Sequence, residues 1–260
     1  MKKLSCILIL LIILSSCKEE TKAAQIEQKT EVSKEKKVTD PKETEVWEPE
    51  PKAISFNKND VPSDAIVLFD GTNLDSWISS KDNKNASWTI NSDSTMTVTP
   101  GTGDIQTKQL FGSVQLHLEW SAPDIIEGEG QGRGNSGVFF QNKYEVQILD
   151  SYQNRTYSNG QATSIYKQHI PLVNAMKAPD QWQTYDIIFH APKFNSEGKK
   201  IKSGTFTVIH NGVLVQDHVE VLGTTEYIGH PKNEAHGKGP IKLQDHGNLV
   251  QYRNIWVREL

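Results

Sequence analysis

From about residue 54 to its end the chain is a succession of short runs of period two, broken by pairs of turn residues. Residues 204–210 and 213–219 flank Asn211-Gly212. Both of those residues tolerate positive φ, which is what a two-residue hairpin twisted like its strands requires. The run 65–69 ends in Asp70-Gly71, a second turn pair. Comparable runs lie at 87–91, 95–99, 113–120, 136–141, 144–149, 183–190, 241–244 and 250–257, and 171–177 alone has helical character. No internal repeat is visible. About ten strands joined by turn chemistry predict an all-β fold, an antiparallel β-sandwich or jelly roll.

This domain has no covalent staple. The two cysteines, Cys6 and Cys17, both lie near the N terminus, so residues 53–260 must be held by their core alone. Some 200 residues suffice for that in one domain. The N terminus is of another kind: a basic start, an apolar run from Ile7 to Leu14, and small residues before Cys17. The run is short for a membrane-spanning helix and reads as a secretory signal over 1–16. Leu14-Ser15-Ser16-Cys17 resembles a bacterial lipobox, which implies acylation at Cys17, and Lys18-Glu19-Glu20 resembles the acidic export tag of Bacteroidetes surface lipoproteins. Residues 17–52 hold eight Lys against ten acidic residues and few apolar ones, the composition of a disordered, lipid-anchored tether. The expected location is therefore the outer membrane, periplasmic or surface-exposed. A net charge of −4 without a basic cluster excludes nucleic acid as partner.

Three polar rows carry the functional signal. In Lys143-Tyr144-Glu145-Val146-Gln147-Ile148-Leu149-Asp150, alternation puts Glu145 and Gln147 on one face and Val146 and Ile148 on the other. Gln115, His117 and Glu119 share a face of their strand, and so do Lys242, Gln244 and His246. A single polar row usually marks a solvated face. Three rows rich in carboxylate, amide and imidazole predict a polar concave face lining a groove. Such groups suit sugar hydroxyls, and nearby aromatic rings can stack on sugar faces.

Other motifs weigh less. Residues 132–137 match G-x-G-x-x-G, but a strand follows where a dinucleotide site needs a helix. The glycines of 128–137 read instead as a mobile loop beside the sheet, with Arg133 placed to clamp a polar substrate. The eight histidines lack zinc-site spacing, and no cofactor is expected. Composition would suit a hard divalent cation such as Ca only at Glu127, Glu129 and neighbouring carbonyls.

Leu68-Phe69-Asp70-Gly71-Thr72-Asn73-Leu74-Asp75-Ser76-Trp77 resembles the opening signature of the bacterial 3-keto-disaccharide hydrolase family. Gly134-Asn135-Ser136-Gly137-Val138-Phe139, residues 144–150 and residues 239–247 resemble its three further signatures, and Arg253-Asn254-Ile255-Trp256-Val257 its closing strand. The likeness runs in unbroken order over about residues 64–260. It implies a concanavalin-A-like, laminarinase-type sandwich that binds sugar on its concave sheet and acts on glycosides oxidised at C3. A ketone there acidifies the C2 proton, so a base can remove it and the C1 aglycone leaves by elimination, after which water adds.

Glu145 or His246 is the expected acid or base, with Gln147, Gln244, Asn135, Arg133 and Lys242 orienting the sugar. Glu119 and His117 are second choices. Asp150 reads as a turn residue and Asp245 as a group orienting His246. Two rivals stand beside this enzyme: a non-catalytic glycan-binding module, which needs no titrating group, and an ordinary glycoside hydrolase. The second would place several acids along one strand, where this chain has Gln147.

Overall fold

A computed structural model describes residues 37–260. The expected signal sequence, Cys17 and the first part of the expected tether lie outside the described residues. The chain divides into two units, Met1–Lys52 and Ala53–Leu260. Residues 37–52 of the first are exposed throughout. They are not wholly irregular, because Pro41–Thr44 forms a 3-10 turn capped by Asp40 and Glu43.

The second unit is a two-sheet antiparallel β-sandwich. The larger sheet has the strand order β13 (Val213–Glu220), β12 (Thr205–His210), β9 (Gln183–His190), β6 (Val114–Ser121), β15 (Gln251–Glu259), β4 (Met96–Thr97) and β3 (Thr89–Ile90), with β1 (Ile66–Phe69) also paired to β15. The smaller has the order β2 (Trp77–Ser79), β5 (Ile105–Thr107), β14 (Lys242–Leu243), β7 (Asn135–Phe140) and β8 (Tyr144–Leu149). A separate short hairpin joins β10 (Lys193–Phe194) to β11 (Lys200–Lys202). The β12–β13 turn is closed by Asn211 and Gly212 at φ 52° and 79°, the conformation that pair predicts. Residues 171–177 form no helix. Three side chains hold that stretch instead: Asn174 donates to the Ser151 carbonyl, and Gln183 and Asn211 bond the carbonyls of Lys177 and Ala175.

Alternation builds the core. Leu116, Leu118 and Trp120 of β6 and Ile187 and Phe189 of β9 point inward, as do Val146 and Ile148 of β8, and all are fully buried between the sheets. Burying each such side chain contributes about 1.5–3 kcal/mol. Strand β8 differs from its neighbours because all six of its residues are buried. Its outward face is covered, so its polar residues are not a solvated surface.

Beyond β8 the chain returns as a flanking segment. Val146 bridges Ile165, Gln147 exchanges backbone bonds with Thr163 and Ser164, and the Tyr166 amide donates to the Glu145 carbonyl. The sheet edge is thereby paired instead of left open. At the other end of the β7–β8 hairpin, Gln141 and Asn142 both take left-handed conformations, φ 55° and 56°. A Cβ on Gly239 would come within 2.8 Å of the Gln141 backbone, so that turn can dock only against glycine.

Candidate active site

Register determines which side chains meet. Lys242 opposes Phe139, Phe139 opposes Glu145, and Glu145 pairs with Tyr166 in the flanking segment. Residues opposed in antiparallel strands share a face, so these four form one row across the outer face of the smaller sheet. The next row runs Gln244, Gly137, Gln147 and Ser164. Asn135 follows, opposite Leu149.

Over these rows lies a cleft of about 700 Å³, lined by Gln131, Asn135, Phe139, Glu145, Gln147, Gln244 and His246, and closed by Tyr157, Tyr166, Lys167, Thr225 and Tyr227. Glu145 is its only carboxylate among the described lining residues. Glu145 as a whole is 4% exposed. Burial pushes its pKa up to about 8, the charge of Lys242 pulls it back and that of Asp104 raises it again. Asp104 in turn holds Lys242 at 2.8 Å, and the Lys242 ammonium sits 4.1 Å from the centre of the Phe139 ring.

Two glycines make the site. A Cβ on Gly137 would stand 2.5 Å from Oε1 of Glu145 and 3.0 Å from the Phe139 ring, so Glu145 occupies space that only glycine leaves. A Cβ on Gly160 would collide with the Tyr157 ring at 2.0 Å. Tyr157 thus reaches the cleft, where its hydroxyl lies 2.6 Å from that of Tyr166. Burial raises the pKa of both phenols, so both remain hydrogen-bond donors at neutral pH. The Lys167 ammonium lies 4.5 Å from the Tyr227 ring centre and 5.6–5.7 Å from those of Tyr166 and Tyr157, and donates to the Tyr227 carbonyl at 2.5 Å. The mouth is aromatic, and Tyr227 itself is 73% exposed.

The structure brings Glu145, Gln147, Asn135, Gln244 and His246 together, but not every candidate from the sequence. Glu119 and His117 lie on the outer face of the larger sheet, because β6 belongs to that sheet and turns its leucines inward. There Glu119 is paired with Arg253 at 2.6 Å and His117 with Asp186 at 2.7 Å, and His117 stacks on Trp256. Burial opposes charging of both, yet their hydrogen bonds outweigh it and set His117 at about 9 and Glu119 at about 2. Of the three polar rows, those of β8 and of residues 242–246 therefore share a sheet, and that of β6 belongs to the other.

Arg133 is absent from the cleft lining, since Asp150 holds its Nε at 2.6 Å and its Nη2 donates to the Tyr152 carbonyl. Asp150 also accepts from the Tyr152 amide, as a turn residue does. Asp245 does not orient His246. It accepts from the amides of Gly101, Gly103 and Gly247 and fastens a loop. Lys242 stands beside the cleft and acts on Glu145 through charge.

The glycine loop is fastened too, by paired bonds between Gly130 and Asn154 and by Gln131, whose Nε2 donates to Thr156 and to the Gly160 carbonyl. Glu127 and Glu129 are exposed, and no cluster of three or more His, Cys, Asp or Glu fit for a metal occurs among the described residues. Gln131, Tyr157, Tyr166, Lys167 and Tyr227 were not legible as site residues, because they sit on loops without period. The nearest signal is Tyr157-Ser158-Asn159-Gly160, a turn cluster whose glycine the tyrosine needs.

Fold and cleft define the class: a two-sheet antiparallel sandwich that carries a walled, polar cleft on the outer face of its smaller sheet. The sequence profile of the 3-keto-alpha-glucoside-1,2-lyase-like domain matches residues 64–258, and the chain belongs to that family. A provisionally designated glycosyl hydrolase from Parabacteroides distasonis ATCC 8503 is 50% identical, with a TM-score of 0.82 over 85% of this chain and 97% of its own. Two further proteins of that organism, with the same designation, share the fold at 18% and 22% identity, with TM-scores of 0.55 and 0.52. Each match covers 75% of this chain, and 94% and 99% of theirs. Curated proteins yield no match.

Proposed function

We propose that this protein cleaves glycosides already oxidised to a ketone at C3 of the sugar, and that Glu145 moves the C2 proton. The carrying observation is a lone carboxyl, buried on the floor of a polar cleft and held near pKa 8. A carboxylate so desolvated is a strong base once ionised. The family's own description, a 1,2-lyase of 3-keto-glucosides, supports the same chemistry.

In the proposed sequence Glu145 takes the C2 hydrogen as a proton, and the C–H electrons form an enolate whose charge rests on the C3 oxygen. Lys167 and the Tyr157–Tyr166 hydroxyl pair supply the positive charge and donors such an oxyanion needs. The enolate then reforms the ketone, a C1=C2 double bond appears, and the C1–O bond breaks toward the aglycone. His246, on the exposed side of the cleft, gives the leaving oxygen its proton. Water adds across C1=C2, its oxygen to C1 and a proton to C2. The balance is hydrolysis, with no oxidant or metal consumed.

Ordinary glycoside hydrolysis needs two carboxyl groups about 5–10 Å apart, and the cleft supplies one. A glycan-binding module would have no use for an uncharged buried acid. The test is to incubate the protein with a 3-keto-α-glucoside and with its unoxidised parent. Release of the aglycone from the ketone alone is expected; tight binding of unmodified glucan with the ketone left intact would make it a binding module. The resemblance of Leu14-Ser15-Ser16-Cys17 to a lipobox supports a further part of this reading, anchorage of the domain to the outer membrane through acylated Cys17.

A further inference from the structure

Gln147, 1% exposed as a residue, has its side chain held between two sets of acceptors. On one side Oε1 of Gln131 lies 3.0 Å from it. That oxygen cannot readily turn away, because the other end of the Gln131 amide donates to Thr156 and to the Gly160 carbonyl. On the other side are Oε1 of Glu145 at 3.1 Å and the carbonyl of Ser136 at 2.9 Å. An amide offers donors at one end and an acceptor at the other, so Gln147 cannot satisfy both sides at once.

Each orientation leaves one contact between acceptors. With its NH2 toward Gln131, the Gln147 oxygen faces Glu145 and Ser136. Glu145 can meet that oxygen only by carrying a proton to donate, and the Ser136 contact stays unfavourable. With its NH2 toward Glu145 and Ser136, both receive a bond, which suits an ionised Glu145, and the unfavourable contact moves to Gln131. One proton on Glu145 therefore tips two nearly balanced arrangements.

We propose that Gln147 is a positioning residue whose amide inverts as Glu145 gains or loses its proton. When Glu145 ionises, Gln147 turns its donors to the carboxylate, and Oε1 of Gln131 loses its donor at the cleft wall. That oxygen then becomes an acceptor for a substrate hydroxyl. Loss of the proton and readiness of the cleft for a sugar are so coupled. The inference rests on Glu145 as the proton-transfer group, but it concerns this chain's own hydrogen bonds and is measurable without substrate.

The other charged and titratable groups about Glu145 are Lys242 of β14 with its partner Asp104, His246 beyond β14, Tyr157, Tyr166 and Lys167 from the segment past β8, and Tyr227 at the cleft mouth. Both variants below leave them in place. The test is direct titration of the Glu145 side-chain carboxyl by carbon NMR in the ligand-free protein. Gln147→Met removes both the donor that favours the carboxylate and the oxygen that accepts from the acid. The bond to the charged form is the stronger of the two, so the midpoint should rise by about one pH unit, a tenfold change in the ionisation constant. Gln131→Leu removes the rival acceptor and leaves Gln147 free to serve Glu145, so the midpoint should fall by a similar amount. A merely structural role would not give shifts of opposite sign.

Shifts of the same sign, or none, would overturn the proposal. If either variant fails to fold, the unaltered protein still decides. Its Gln147 side-chain amide protons should change environment with the same midpoint as the Glu145 carboxyl, and an amide signal indifferent to that titration would overturn the inversion. Turnover of a 3-keto-glucoside is read separately, so failure of the proposed reaction would not be mistaken for failure of the switch.

Discussion

Glu145 concentrates the physical chemistry of the cleft. Its pKa is raised from 4.5 to about 8, with burial as the first cause. The native state therefore holds a proton that the unfolded chain releases between those values. Stability from this group is full below about pH 4.5 and declines as pH rises toward 8. Glu145→Gln removes the titration while keeping the shape. The variant should match wild type in urea unfolding at pH 4 and exceed it by a few kcal/mol at pH 9, since a tenfold change in an ionisation constant corresponds to about 1.4 kcal/mol. Equal midpoints at both pH values would mean that the carboxyl is not desolvated. Alternation alone placed Glu145 and Gln147 on a face apart from Val146 and Ile148. It could not show that this face is buried, because the cover comes from residues 163–166 and 225–227, far along the chain.

At the scale of elements, β7 and β8 act as one device. Gly137 in β7 leaves the room that the Glu145 carboxyl fills from β8. Its backbone is not in the left-handed region, so Gly137→Ala meets a steric obstacle at the side chain alone. The variant should remain folded at a cost of about 1–3 kcal/mol. Glu145 would be displaced, and turnover should drop by more than tenfold. Unchanged kcat would show that the carboxyl has no fixed station.

Strand β6 makes the converse case. Its polar row resembles that of β8 in sequence, yet Glu119 serves an ion-pair network with Arg253, Asn254 and His117. Glu119→Gln should lower stability by about 1–2 kcal/mol and leave kcat unaltered. Period two tells which residues share a face of one strand, but not which sheet the strand joins. That assignment rests on pairing between β6, β9 and β15, whose partners are distant in sequence.

Over the whole molecule, fold class was legible because turn pairs and alternating runs are local signals, and the sandwich is the way to bury so many half-apolar strands. Short strands such as β2, β5, β10 and β11 escaped, being too brief to display a period. The walls of the cleft escaped for another reason: Tyr157, Tyr166 and Lys167 are held by tertiary contacts of a loop, which no period records. The acylation proposed at Cys17 has its own test. Cys17→Ala should abolish labelling by a fatty-acid analogue and move the protein from the membrane fraction to the soluble one. Retained labelling would place the lipid elsewhere.

The central claim is that Glu145 removes the C2 proton before the glycosidic bond breaks. It is tested most directly by following a 3-keto-glucoside in heavy water by NMR, with wild type and with Glu145→Gln. Wild type should release the aglycone and return a sugar carrying deuterium at C2, while the variant should bind the substrate and do neither at more than about a thousandth of the rate, the span general-base catalysis commonly contributes. Cleavage by wild type with the original hydrogen kept at C2, or full turnover by the variant, would contradict it.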